Sequence, residues 1–384
     1  MLNYDLSSDQ NLLRQTVRDF AENEIKPKRF QLDRDEEFSI DLTEKMFDLG
    51  LFGITVDPKY GGQGMDYLSY ILAVEELARV DGCQAATVAA ENSLGIGPLY
   101  YFGSEAQKQK YLPSLCGGKK LWGFGLTEPD AGSDAQNSKT TAVLQNGKWK
   151  INGAKIFITN AANPLTAGVT VQAVTGQKTE GKKELSCFIV ESGAKGFTSK
   201  AMKNKMTWRS SNTAELYFDD VEVSDENILG NKGDGFKQMM QTLDNGRLSI
   251  AAMGLGGAQG AFEEALRYSQ ERKIFGKPVS SFQVNAFKLA DCAVEIEAAR
   301  NLLYKACWLK DQNRPFGKEA AMAKLYTSEV FHRVANHCVQ LHGGYGLMEE
   351  YPAAKYYRDQ KLLEIGEGTS EIQRLVIARY LECF

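Results

Sequence analysis

The chain has 384 residues, 43% of them hydrophobic and 24% charged, with a formal net charge of -4. That length exceeds what one hydrophobic core serves and predicts two or three domains, while the slight negative charge gives no electrostatic footing for nucleic acid. No run reaches the roughly 18 apolar residues of a membrane span, and neither a basic-plus-apolar leader nor an Arg- and Ser-rich transit segment opens the chain; no membrane insertion and a cytoplasmic location are expected.

The first third carries helical signals. Ser7-Ser-Asp-Gln10 has the form of a capping box, followed by Leu12, Leu13, Val17, Phe20 and Ile25 at helical spacing up to Pro27. Further periodic segments cover Ile40–Leu49, Tyr67–Ala78 and Glu105–Tyr111, with a turn-rich loop at 58–64. From Leu121 the pattern turns to alternation. Asn146-Gly147 and Asn152-Gly153 are hairpin-type dipeptides, and residues 214–223 alternate again. From Gly235 a spacing of three to four residues resumes through Met239, Leu243, Leu248, Leu255 and Phe262, and again from Phe287 through Leu303.

Helices, then strands, then helices in series predict an α+β multidomain chain, with an N-terminal α-helical domain at 1–120, a middle antiparallel β domain at 121–228 and a C-terminal helical bundle at 229–384. Two features are set aside as sites. Gly254-Leu-Gly-Gly-Ala-Gln-Gly260 imitates a dinucleotide loop, but Gln259 stands in the place of the third glycine and the run lies inside a helical pattern; tight helix packing is expected there. Seven dispersed cysteines without a C-x-x-C pair predict reduced, buried thiols, and the three histidines, five residues apart, share no helix face and predict no metal site.

Five segments hold residues suited to chemistry. Phe124-Gly-Leu-Thr-Glu-Pro-Asp-Ala-Gly-Ser-Asp134 is a loop rich in small and hydroxyl residues, fit either for plain turn formation or for a flat polar ring or phosphate. Asn152-Gly-Ala-Lys-Ile-Phe-Ile-Thr-Asn160 places Phe157 beside Thr159, an aromatic and a hydroxyl that suit a heterocycle as well as a core strand. Arg272-Lys-Ile-Phe-Gly-Lys-Pro-Val-Ser-Ser-Phe-Gln283 breaks a helix and offers Arg272 and Gln283 to phosphate and amide groups, or to solvent. Gln340-Leu-His-Gly-Gly-Tyr-Gly346 permits close backbone approach, and Glu367 stands between Gly366 and Gly368 ahead of a helix that Thr369 or Ser370 can cap.

Together these strings resemble the acyl-CoA dehydrogenase family over essentially the whole chain, most specifically through Thr-Glu-Pro-x-Ala-Gly-Ser-Asp and Glu-Gly-Thr-Ser-Glu-Ile-Gln. The resemblance implies FAD bound without a Rossmann loop. Phe124, Gly125, Leu126, Thr127 and Ser133 would face the flavin, and Phe157, Ile158 and Thr159 would cover its ring. Arg272, Phe275, Gln283, Gln340, Gly343 and Gly344 would reach the FAD of a neighbouring subunit, with Thr369 and Glu371 at the diphosphate. Such sharing implies a homo-oligomer, a dimer of dimers. Glu367 would be the catalytic base, removing the α proton of an acyl-CoA as the β hydrogen leaves as hydride to the flavin, as in fatty acid β-oxidation. Ser133, Asp244, Arg247 and Gly368 would contact the substrate, and an electron-transferring flavoprotein would accept the electrons.

Relatives that carry the base one place before the arginine would need it at Gly246, which cannot abstract a proton; that leaves Glu367. The region Gln84–Glu91 offers no arginine for a dicarboxylyl group. Gly366, where many relatives have tyrosine, and Trp208, where a small aliphatic residue is common, predict an altered pocket and a short- to medium-chain acyl group, straight or branched. The alternatives are an oxygen-using oxidase, which the missing C-terminal extension argues against, and a non-catalytic helical binding protein.

Overall fold

The protein was analysed as a computed structural model that describes residues 5–178 and 181–384. Residues 1–4, on which part of the leader expectation rests, lie outside the described residues.

The N-terminal part is helical, as its periodicity predicts: α1 (Ser8–Phe20), α2 (Arg29–Asp35), α3 (Ile40–Asp48), α4 (Tyr67–Val80), α5 (Gly82–Ala90), α6 (Gly97–Phe102) and α7 (Glu105–Cys116). The capping box forms: the Gln10 N–H donates to the Ser7 hydroxyl at 3.2 Å and the Ser7 N–H to the Gln10 carboxamide at 2.9 Å. The first helix does not run straight to Pro27 but loosens into a π-helical turn at Ala21–Ile25. A second such turn, Glu91–Ile96, joins α5 to α6. Insertions of this kind are frequent at functional sites.

The middle part contains β1 (Leu121–Gly125), β2 (Thr141–Gln145), β3 (Lys148–Thr159), β4 (Thr166–Gln177), β5 (Lys183–Glu191), β6 (Phe197–Ala201) and β7 (Thr213–Val223) in one sheet. The sheet is mixed rather than antiparallel throughout, because β1 and β2 both run parallel to β4. The cause is the long loop after β1, which leads to β2 rather than folding back as a hairpin; β1 is left to pair with the later strand β4. Asn146-Gly147 makes the expected hairpin turn between β2 and β3, both residues left-handed at φ 52 and 77. Asn152-Gly153 does not. It lies inside β3 at a register shift opposite β7, and a Cβ on Gly153 would meet Thr140 Cα at 2.7 Å.

The C-terminal part comprises α8 (Gly235–Glu271), a small hairpin of β8 (Lys273–Ile274) and β9 (Lys277–Pro278), then α9 (Gln283–Asp311), α10 (Gly317–His342), α11 (Pro352–Ile365) and α12 (Ser370–Tyr380). The glycines of 254–260 serve helix packing, as expected. A Cβ on Gly256 would press on Ala78 of α4 at 2.9 Å, and one on Gly254 would press on Thr327 of α10 at 3.0 Å. One continuous apolar core joins α1, α4, α5, α8, α9, α10 and α11. Six cysteines are buried, while Cys383 is exposed, against the expectation for that residue.

An ion cluster ties the three parts together. Lys355 of α11, buried, donates to Asp81 at 3.0 Å and to Asp359, with Asp33 of α2 at 3.9 Å. Asp359 in turn accepts from the Trp208 main-chain N–H at 3.0 Å, and its carbonyl from Trp208 Nε1 at 3.0 Å.

Candidate active site

Between α11 and α12 the chain makes one tight turn that presents Glu367. Gly366 is extended, Glu367 is left-handed at φ 52 and Gly368 at φ 95. A non-glycine residue held in that region is uncommon and marks functional sites when the surroundings enforce it. The enforcing groups are visible. The Gln373 side chain donates to the carbonyls of Glu367 at 3.2 Å and Gly368 at 2.9 Å, and Lys324 Nζ donates to the Gly368 carbonyl at 2.7 Å. Thr369, not Ser370, caps α12, accepting from the Ile372 N–H at 3.3 Å.

The Glu367 side chain lies against the bare backbone of Gly246 on α8, where an added Cβ would overlap Oε2 and stand 2.8 Å from Cδ. Glu367 Oε2 is buried without a hydrogen-bond partner, and among the described residues the Glu367 N–H has no acceptor either. Burial pushes this carboxyl up to about 7, against the opposing charges of Lys324 and Arg247. A carboxylate poised near neutrality, with one oxygen unpaired and shielded from water, is equipped to take a proton.

Arg247 is buried and touches Asp244 in an ion pair, with its Nε unpartnered; it is not a surface charge. Beside it the Lys310 ammonium donates to Asn245 Oδ1 at 2.6 Å and sits 4.5 Å over the Tyr67 ring, and burial pulls it down to about 8. A narrow recess adjoins these residues, lined among others by Tyr67, Tyr70, Tyr101, Asn245 and, from the second π-helical turn, Asn92 and Ser93. Trp208 lines a separate cavity with Asp81 and Lys355 and does not enter this recess.

The two segments expected around a flavin are joined by a buried ion pair. Lys155 Nζ lies 2.7 Å from Glu128 and donates to the Leu126 carbonyl at 3.2 Å, while the Ile156 N–H bonds the Thr127 carbonyl at 2.9 Å. Burial alone would raise the Glu128 carboxyl, yet Lys155, the Ser138 hydroxyl and the Lys139 N–H bring it to about 2; Lys155 itself is pulled down by burial. Phe124 and Leu126 bury their side chains in the core with Ile96 and Met239, so only their backbone is free to meet a ligand. Phe157 is different. It is left-handed at φ 63 inside a strand, at a register shift, and its ring is 61% exposed.

Ser133 lies on an exposed loop. Arg272, Phe275, Gln283, Gln340, Gly343 and Gly344 also lie on the surface, and part of this set gathers: Arg272 stands 5.6 Å over the Tyr345 ring, and Phe275 at the β8–β9 turn is 93% exposed. The bare rings of Phe157 and Phe275, and glycines 343 and 344 with nothing near an added Cβ, fit a planar ring and a nucleotide. Glu371 is exposed, and its carboxylate is held below the usual range by its own N–H and the Thr369 hydroxyl.

Sequence reasoning missed Lys324, Lys310, the Glu128–Lys155 pair and the tyrosines of the recess. For Lys324 the signal was present: it falls within the inward series Ala320, Ala323, Thr327 and Phe331, where a lysine is out of place.

A helix–sheet–helix scaffold that holds a carboxylate with an unpaired, buried oxygen, and elsewhere presents exposed aromatic rings, is the arrangement of a flavin-dependent thioester dehydrogenase. The chain belongs to the acyl-CoA dehydrogenase family: its N-terminal, middle and C-terminal domain patterns match residues 7–119, 123–221 and 233–382. It is 50% identical to the probable acyl-CoA dehydrogenase YngJ of Bacillus subtilis, over 99% of this chain and 100% of that one. It is 43% identical to the solved butyryl-CoA dehydrogenase of Megasphaera elsdenii, with a TM-score of 0.96, covering 99% and 100% of the two chains. A chain solved in work on the electron transferring flavoprotein of Acidaminococcus fermentans is 44% identical, with a TM-score of 0.95 and 99% of each chain covered. FAD is the cofactor that goes with this membership, and a Bacillus anthracis acyl-CoA dehydrogenase, 33% identical with a TM-score of 0.93, was solved complexed with FAD; the match covers 100% of this chain and 69% of that one.

Proposed function

We propose that the protein oxidises a short- to medium-chain acyl-CoA, straight or branched, to the trans-2-enoyl-CoA, with Glu367 as the base that removes the α proton. The observation that carries this reading is the unpaired, buried Glu367 Oε2 with its carboxyl near 7. FAD, when bound, supplies the acceptor for the β hydride. The chain's own work is to bind, orient and deprotonate. The unengaged Glu367 N–H is available to the thioester carbonyl, which acidifies the α C–H. The buried, partly unsatisfied Arg247, with Asp244, is assigned to the CoA arm, together with Gly368 and Ser133; the unpartnered Arg247 Nε supports this. The recess lined by Tyr67, Tyr70, Tyr101, Asn92 and Ser93 lies next to Asn245 on the same helix as Arg247, and its π-helical wall supports assigning the acyl chain there.

Around the cofactor, Gly125, Thr127 and the backbone of Phe124 and Leu126 are assigned to the flavin edge, and Phe157, Ile158 and Thr159 to its face. Thr369 is assigned to the diphosphate. Glu371 joins it as part of the first turn of α12 rather than through a carboxylate of like charge. The exposed cluster around Arg272 and Phe275, with Gln283, Gln340, Gly343 and Gly344, is assigned to the FAD of a neighbouring subunit in a dimer of dimers. A domain division at 1–120, 121–228 and 229–384, a cytoplasmic location and an electron-transferring flavoprotein as acceptor complete the reading. The Acidaminococcus relative supports that acceptor.

The deciding experiment is anaerobic titration of the FAD-loaded protein with a panel of saturated acyl-CoAs, followed by bleaching of the flavin band. Bleaching by butyryl-CoA or a short branched relative, and its loss in Glu367→Gln with FAD retained, is the expected result. Highest turnover per Michaelis constant with linear long chains would sink the substrate assignment.

A further inference from the structure

Lys324 is fully buried on α10, and its one hydrogen bond among the described residues runs to a neutral carbonyl, that of Gly368. Among the described residues no carboxylate lies within ion-pair distance of it. A buried ammonium without a bonded counter-ion is costly to keep, so its neighbours decide what it does. Burial pulls it down to about 8; the charges facing it are Glu367 from the catalytic turn, Arg247 from α8, Glu364 from α11 and Glu371 from α12. Glu364 is already answered by Lys361 at 2.5 Å and by His332 at 3.2 Å, and Glu371 is exposed. Facing Glu367, apart from Lys324, are Arg247 from α8 and the phenols of Tyr67 and Tyr70 from α4. Arg247 already contacts Asp244. Lys324 is therefore the cation left without an ion-paired carboxylate of its own, and it bonds the turn that carries the base.

We propose that Lys324 is a positioning residue for Glu367: its ammonium pins the Gly368 carbonyl behind the left-handed turn, and its charge favours the carboxylate form of the base. The inference rests on the reading of Glu367 as base. The Gly368 carbonyl lies in the 368–369 peptide, and Gln373 holds the Glu367 carbonyl in the 367–368 peptide; together the two bonds brace the turn from which Glu367 projects.

The test compares Lys324→Met, which removes charge and donor, with Lys324→Gln, which keeps a donor without charge, using holoenzyme and the pH profile of kcat/KM for butyryl-CoA. The acid limb should move up by about 1 pH unit or more in both variants, with kcat further depressed in Lys324→Met and partly restored in Lys324→Gln. An unchanged acid limb in a FAD-loaded variant overturns the proposal. Failure of both variants to fold or load FAD assigns Lys324 to folding and overturns it equally. Glu367→Gln is run alongside: flavin bleaching that persists there refutes the base itself, whereas a dead Glu367→Gln with an unmoved limb in the lysine variants refutes the lysine role alone.

Discussion

Gly246 and Glu367 occupy one space from two elements: the α carbon on α8 faces the carboxylate so closely that a methyl group there would overlap Oε2. The two positions at which relatives are expected to carry the base thus converge on one point in this fold, and a glycine at one is the condition for a glutamate at the other.

Gly246→Ala is accordingly expected to displace the Glu367 carboxylate while leaving α8 intact, since alanine favours helix. A displacement of about 1 Å costs on the order of 100-fold in rate. The check is kcat with an acyl-CoA in protein whose FAD content matches the wild type.

The pH dependence follows from the burial of Glu367. Only the carboxylate accepts a proton, and the carboxyl titrates near 7. Activity is therefore present above that pH and is lost as pH falls through it. Measured kcat/KM should decline about tenfold per unit on the acid side, with a midpoint close to 7 rather than in the usual carboxylate range.

Breaking the Glu128–Lys155 pair should be costly because both side chains are buried. Glu128→Gln leaves an ammonium in the core without its counter-charge, a loss of about 3–5 kcal/mol. It also loosens the loop at 126–128, which then keeps only its bonds from Lys155 and the Ile156 N–H of β3, so FAD content should fall together with the denaturation midpoint. Both are read on the same purified sample, by absorbance and by urea titration.

Trp208→Phe should act on stability and not on substrate choice. It removes the indole bond to the Asp359 carbonyl, worth about 1 kcal/mol. The recess lies elsewhere, so the order of preference across an acyl-CoA panel should be unchanged. A changed order would put Trp208 back in contact with the acyl chain.

Local patterns made much of this legible. The Ser7–Gln10 box, the helical spacing of α8 and the Asn146-Gly147 turn are signals carried by adjacent residues, and each appears in the structure. Asn152-Gly153 misled because its glycine answers a neighbour, Thr140, that is distant in the pattern though close in space. The parallel pairing of β1 with β4 likewise depends on partners some forty residues apart. Glu367 was readable because its glycines sit beside it in the chain. Lys324 showed in the sequence only as a lysine out of place in an inward series; its task comes from a carbonyl 44 residues downstream. Glu128 was visible as part of a string, but its task as the anchor of that string required Lys155, which lies on a different segment.

The Lys355 cluster has a consequence for how such a chain can be rearranged. Its ammonium is answered by carboxylates of α2, of the α5 cap and of its own helix, and the last of these is bolted to the sheet through Trp208. A chimera that imports foreign N-terminal helices lacking Asp33 and Asp81 would leave that sealed ammonium with Asp359 alone to answer it, and Asp359 is shared with Trp208. The three parts are therefore not interchangeable modules; whoever swaps one must carry its share of the ion cage across the junction.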